Sequence, residues 1–316
     1  MESETVVILG FVALFVLLFI RMPVGLTMML IGTVGIYLIR PVAAVPTLAG
    51  EIFAEAANFP LIIIPLFVLM GNLAGVSGMS RDLYRAANAW LGHMKGGLAS
   101  ATVVGCAGFS ALSGSSLAAA LTMGRVSLPE MQRYNYDDGL ATGAIAAGGT
   151  LGILIPPSAG FVIYAILTEE SIGRLFLAGV FPGLMLTVLF VIAIWIVVKR
   201  DPSRAPMAAE AVPIGDRMRA LAGAGWIIGI VGLTIGGIYT GVFSAIEAAG
   251  IGAALAFLVT VIRKALTWPN MQDVFKSTLR ASGTLFMILF GAFVFKTFVG
   301  FTGITFALST WVGEQG

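Results

Sequence analysis

From Leu175 to Val198 the chain runs 24 residues without a charged side chain. A helix of that length extends about 36 Å, enough to cross the roughly 30 Å hydrocarbon core of a bilayer. Seven further segments read the same way: Thr5–Ile20, Met22–Ile39, Pro60–Val76, Leu140–Thr168, Ala220–Thr240, Ala245–Ile262 and Ala281–Gly300. They are apolar around most of their circumference, so they read as helices and not as alternating barrel strands. The composition agrees, with 58% hydrophobic and 11% charged residues in 316 and a mean hydropathy of +0.99. A soluble domain carries about 25% charged residues, and so few charges could not clothe a soluble surface of this size. The chain is read as an all-α polytopic membrane protein. Its first segment lacks the basic start and small-residue cleavage site of a signal peptide.

Other classes fall away on simple counts. A net charge of +2 gives no concentrated basic face for nucleic acid. The single cysteine, Cys106, excludes an internal disulfide framework and reads as a small packing residue among Gly, Ala and Val. The single histidine, His93, stands near Lys95 at a segment end and reads as interfacial.

One stretch fits no whole number of spans. From Gly96 to Gly124 there are 29 residues without charge, too many for one crossing and too few for two. Its centre, Ser110-Ala-Leu-Ser-Gly-Ser-Ser116, is small and polar, a poor helix middle and a good turn. A re-entrant hairpin with an external N-terminus places fifteen of the eighteen basic residues on the cytoplasmic side. Arg40 and Arg174 remain outside, and Lys296 lies within a span, near its end, where it can snorkel. A single crossing would lower the split to twelve against five, so the hairpin is preferred. Such loops survive in lipid only where protein or a wet cavity satisfies their backbone.

A second irregularity lies in Leu140–Thr168. Gly148-Gly-Thr-Leu-Gly-Ile-Leu-Ile-Pro-Pro-Ser158 places three glycines within five residues ahead of two prolines. Pro156 and Pro157 donate no backbone hydrogen bond and disfavour helix before them, so the span is expected to break over Gly148–Pro157 with Ser158 capping the second half. Half-helix C-termini and freed carbonyls suit a cation, and half-helix N-termini suit a carboxylate. The hairpin tip is therefore expected to pack on the break and form a cation site from Ser113, Gly114, Ser115, Ser116, Gly149, Thr150 and Gly152. Ser115, Ser116, Pro156, Pro157 and Ser158 would face the substrate. Small residues on both sides also permit close packing for its own sake.

Taken together, these residues resemble the large membrane subunit (DctM-type) of tripartite ATP-independent periplasmic (TRAP) transporters. The likeness runs through Arg21-Met-Pro-Val-Gly25, Gly108–Ala118, Met123-Gly-Arg-Val-Ser-Leu-Pro-Glu-Met131, Ala141-Thr-Gly with Gly148–Ser158, and Gly237-Ile-Tyr-Thr-Gly-Val-Phe243 with Glu247-Ala-Ala249. It implies an elevator-type transporter built from inverted repeats, with Gly96–Arg133 as a re-entrant helical hairpin. It implies uptake of an organic acid, a C4-dicarboxylate or similar carboxylate, coupled to Na+ and needing no other cofactor. The implied partners are a small DctQ-type membrane subunit and a periplasmic DctP-type binding protein. The implied location is the bacterial inner membrane, with a periplasmic N-terminus.

Where the family has Thr-Pro-Thr-Glu this chain has Ser244-Ala-Ile-Glu247. Glu247 is either an intramembrane functional acid or a water-facing one. A faint inverted repeat pairs Pro23–Ile31 with Ile246–Ala254, and Pro60–Val76 with its tail to Trp90 against Ala281–Gly300 with its tail to Trp311. On that register the chain stops as a second hairpin should begin. The expected divisions are 1–95, scaffold helices and an interfacial arm; 96–174, transport-domain hairpin and broken helix; 175–219, scaffold span and cytoplasmic linker; and 220–316, the start of the second repeat.

Within the linker, Lys199–Arg219 carries five basic residues. Arg81–Lys95 is amphipathic and reads either as an arm that yields during transport or as a passive interfacial helix. Asp137-Asp138 beside Arg133 reads as a salt-bridged turn. The rival functions are a binding-protein-independent Na+- or H+-coupled dicarboxylate transporter and an intramembrane enzyme. The second lacks any nucleophile with a nearby base, and a channel lacks rings of charge.

Overall fold

The computed structural model describes residues 3–206 and 212–314, so Met207–Ala211 of the linker lie outside the described residues. The elements in order are α1 (Ser3–Phe19), α2 (Val24–Ile39), α3 (Pro41–Ala56), α4 (Ile63–Val76), α5 (Met79–Leu91), α6 (Gly97–Ser113), α7 (Ser116–Arg133), α8 (Asp138–Leu154), α9 (Ala159–Thr168), α10 (Ile172–Arg200), α11 (Ile214–Gly223), α12 (Gly225–Tyr239), α13 (Ala245–Ile262), α14 (Trp268–Thr302) and α15 (Ile304–Glu314). Every regular element among the described residues is a helix, and five spans are long and apolar enough to cross a membrane. This is the all-α polytopic architecture that the apolar runs predict.

The chain divides into two compact units, Met1–Leu61 with Arg280–Gly316, and Ile62–Leu279. The first is held by close approach of α2 to α14. A Cβ on Gly25 would strike the Met287 carbonyl, and one on Gly291 the Gly25 carbonyl. A Cβ on Gly32 would lie 3.0 Å from the Phe295 amide nitrogen, and Gly35 receives the fully buried Phe298 ring. Val6, Ile31, Ile36 and Ala44 complete that core, and the Thr297 hydroxyl donates to the Glu51 carboxylate at 2.7 Å.

In the second unit, α8 lies against both arms of the α6–α7 hairpin, and α4 packs on α13. Polar contacts between distant positions tie its elements. Arg263 pairs with Asp82 at 2.5 Å, both side chains 23% exposed, and Asn72 donates to the Thr278 hydroxyl at 2.9 Å. The amphipathic α5 buries Tyr84, Ala86 and Ala87 and leaves Arg81, Arg85 and Trp90 exposed, as its pattern predicts.

Three features depart from the sequence reading. α3 occupies a stretch that none of the expected spans covers; Pro41 sits at its first turn, where a missing N–H costs nothing, so Pro41 starts the helix. The break in Leu140–Thr168 falls at Ile155–Ser158, downstream of the glycines, which all lie inside α8. The span expected from Ala220 is bent by 57° at Ala224, between Gly223 and Gly225.

The two proposed repeats share a corner. Gly78 (φ 79°) precedes α5 and Gly303 (φ 74°) precedes α15, each turning an apolar helix into the next through a left-handed residue. Anchored on these glycines, Trp90 and Trp311 fall four residues out of step. The first repeat breaks its helix at Ala57-Asn58 between α3 and α4, whereas α14 runs on unbroken.

Candidate functional site: a hairpin tip seated on a broken span

α6 ends because Gly114 adopts φ 56°, a left-handed cap that donates to the Ser110 carbonyl at 3.0 Å. Ser115 then starts α7, its hydroxyl accepting from the Ala118 amide at 3.4 Å. The tip is thus two residues wide. It sits on the break after α8, and the Ala159 amide donates to the Gly114 carbonyl at 3.2 Å.

Glycine makes this seat possible from every side. A Cβ on Gly152 would lie 2.6 Å from the Ser115 carbonyl carbon, one on Gly149 2.7 Å from Ala120, and one on Gly114 2.5 Å from the Pro157 carbonyl oxygen. Gly71 of α4 approaches Ser113 with the same lack of room. α10 is notched opposite the break, where a Cβ on Gly183 would come within 2.7 Å of Ile155. The expected packing of the tip on Gly148–Gly152 is therefore present.

Ser113 and Ser158 are buried, Ser115 and Ser116 half-buried, and Pro156 and Pro157 buried at a cis peptide. The hydroxyls of Ser110, Ser113, Ser116 and Ser158 are all inaccessible and have no hydrogen-bond partner among the described residues. A buried hydroxyl without a partner costs about 1–3 kcal/mol and calls for an explanation. Ser158 occupies the cap position of α9, but its side chain makes no capping bond, contrary to the expectation that it would. Thr150 is exposed and its hydroxyl donates to Ala147 of its own helix at 2.6 Å, so this contact does not join it to the tip. Gly149 and Gly152 contribute space. Ser110 was not singled out by the sequence reading. It lies one turn before Ser113 on the same face of α6, which is the signal that finds it.

Several outlying residues resolve plainly. Glu247 closes a capping box, accepting from the Ser244 amide at 2.8 Å, and is exposed at the start of α13. Asp137 caps α8 by accepting from the Leu140 amide at 2.9 Å. Arg133 lies over the Tyr134 ring and forms no described ion pair, so the pair Asp137-Asp138 opens a helix, where its charge suits the dipole, and does not make a salt-bridged turn. Cys106 is fully buried against Gly148, as a packing residue should be. Among the described residues no group of three or more His, Cys, Asp and Glu could hold a metal.

A short helical hairpin with an interrupted partner span defines the class: an all-α polytopic membrane protein with broken helices packed tip to break. The model of the family described as the tripartite ATP-independent periplasmic transporter, DctM component, matches residues 11–316, and the chain belongs to that family. It is 35% identical over 288 residues to the C4-dicarboxylate TRAP transporter large permease protein of Pseudomonas aeruginosa, covering 90% of this chain and 66% of that protein. It is 32% identical to the sialic acid TRAP transporter large permease of Vibrio cholerae, covering 88% and 65%, and 33% identical to the ectoine TRAP transporter large permease of Halomonas elongata, covering 84% and 62%. The chain thus spans about two thirds or less of the length of the relatives it matches.

Proposed function

We propose that this chain forms the greater part of the large membrane subunit of a Na+-coupled importer of organic acid anions. A small DctQ-type subunit would accompany it, and a periplasmic DctP-type protein would deliver the substrate. The observation that carries this reading is the set of four unpartnered hydroxyls, Ser110, Ser113, Ser116 and Ser158, where two backbone breaks meet. Each offers two lone pairs to a cation or one proton to a carboxylate, and the Gly114 turn and the break supply the helix ends that favour both charges. Packing alone asks for small residues, not for desolvated hydroxyls.

The N-terminus is placed in the periplasm and α6–α7 is re-entrant, since that arrangement best gathers the basic residues on one side. The hairpin and broken span would move as a transport domain against a scaffold. A non-enzymatic role is favoured by the position of His93, at the far end of α6, about 25 Å of helix from the serine tip.

The test uses the full-length protein with its partners in proteoliposomes. Ser116→Ala removes a hydroxyl that makes no protein hydrogen bond, so it is expected to raise the Na+ concentration for half-maximal uptake about tenfold while thermal stability holds. Adding Ser115→Ala raises it further but also removes a helix cap, at about 1 kcal/mol. An unchanged Na+ dependence in both variants removes the tip from the cation site. A requirement for the binding protein in the same assay distinguishes this reading from a binding-protein-independent dicarboxylate transporter.

A further inference from the structure

Away from the serine tip, a cavity of about 440 Å³ runs between α8 and α10. Its floor is buried Val103, Ala144 and Ile194, and its rim includes exposed Gly143, Ala193 and Val197, so it is a groove open on the molecular surface. It is open beside Gly143, where no atom lies within 4 Å of the place a Cβ would take. The walls are apolar. At one end stand Asp137 and Arg204, whose backbones are joined by the Asp137 amide donating to the Arg204 carbonyl at 2.8 Å.

Both charged groups are only partly used. Asp137 spends one carboxylate oxygen on capping α8. Arg204 spends its Nε on Asp201 at 3.1 Å, leaving its terminal nitrogens without a protein partner among the described residues. Asp201 is itself engaged. The Ser203 hydroxyl and then the Arg204 guanidinium hold its carboxyl below the usual aspartate range.

Size and setting select an occupant. The groove follows α8 from Gly139 to Ala147, a rise of about 12 Å. An apolar slot of that length matches a hydrocarbon chain lying along the helix. The α10 wall belongs to the least covered of the candidate spans, with 17% of its apolar window buried against 33–44% in the others. An apolar slot on such a helix opens to lipid. A carboxylate and a guanidinium that both line one end of it complement a headgroup carrying both an ammonium and a phosphate, and give no preference to an anion alone.

We propose that this groove is a binding site for one glycerophospholipid of the ethanolamine class, with an acyl chain along α8 and α10, the phosphate on Arg204 and the ammonium on Asp137. The site is separate from the proposed transport site and does not depend on what is carried.

The test measures lipid retention by native mass spectrometry on full-length permease purified in mild detergent and supplied with dioleoyl phosphatidylethanolamine or dioleoyl phosphatidylglycerol. One ethanolamine lipid is expected per protein, retained at least fivefold better than the glycerol lipid. Asp137→Asn still caps the helix and should erase that preference, Arg204→Gln should weaken both lipids, and Gly143→Phe should abolish retention. Equal retention of the two lipids by the parent protein, absence of retained lipid, or unchanged retention in a folded Gly143→Phe variant overturns the proposal. Should Gly143→Phe not fold, Phe190→Trp decides. Its added fluorescence should be quenched by ethanolamine lipid with brominated chains, and no quenching refutes the site.

Discussion

α8 and α12 carry five glycines each, yet they use them in opposite ways. In α8, Gly148, Gly149 and Gly152 face Cys106, Ala120 and the Ser115–Ser116 backbone with no room for a methyl group. In α12, Gly225, Gly229, Gly232 and Gly236 meet nothing within 4 Å, and only Gly237 is crowded, by Phe243. The four open glycines are spaced to fall on one face. A glycine-rich span therefore specifies that a close approach is possible, and only the partner decides whether it happens. In α8 the partner is the hairpin, with Gly148 on α6, Gly149 on α7 and Gly152 on the Ser115–Ser116 turn.

Substitutions can break this contrast or sharpen it. Gly152→Val is expected to be the most damaging, because it drives a branched side chain into the Ser115–Ser116 peptide. Overpacking of this kind costs about 3 kcal/mol, and both the detergent melting temperature and uptake by the full-length protein should collapse. Gly114→Ala follows, adding a left-handed alanine, at about 1–2 kcal/mol, to contact with the Pro157 carbonyl. Gly148→Ala should cost about 1–2 kcal/mol. The Cys106→Ala change should restore part of that loss, because it removes the sulfur that lies 2.9 Å from the new methyl group. A double mutant no better than the sum of its parts would place the strain elsewhere. Gly229→Ala with Gly232→Ala should leave the melting temperature of this chain unchanged or raise it, each alanine favouring helix by about 0.5–1 kcal/mol. A clear loss in the full-length protein would mean that this face is covered there.

The parts of the fold that were legible rest on one-dimensional signals. Uncharged length marks α10, the polar interruption Ser110–Ser116 marks the tip, and Pro156-Pro157 marks the break. The misplacement of that break has a simple cause, because helical Gly148 and Gly149 signal a close neighbour and not an unwound backbone. The bend at Ala224 is announced by its flanking glycines, and the capping box by Ser244-x-x-Glu247, so both were readable. α3 was obscured by Glu51, Glu55 and Pro46, which resemble loop composition but sit on a helix. The Arg263–Asp82 pair, 181 residues apart, leaves no local trace at all. Of the site, residue types were legible but orientations were not, which is why Thr150 was grouped with the tip and Ser110 was overlooked.

The hydrogen bond from the Ala159 amide to the Gly114 carbonyl bears on timing as well as shape. Separating tip from break would strand two backbone groups in a poorly hydrated place, at about 1–3 kcal/mol for each. These two segments are therefore a coupled pair whose parting is a rare fluctuation, slower than loop motion elsewhere. Deuterium uptake at Ala159 is consequently a clock for that event, lagging the residues around it and quickening only when the tip lifts.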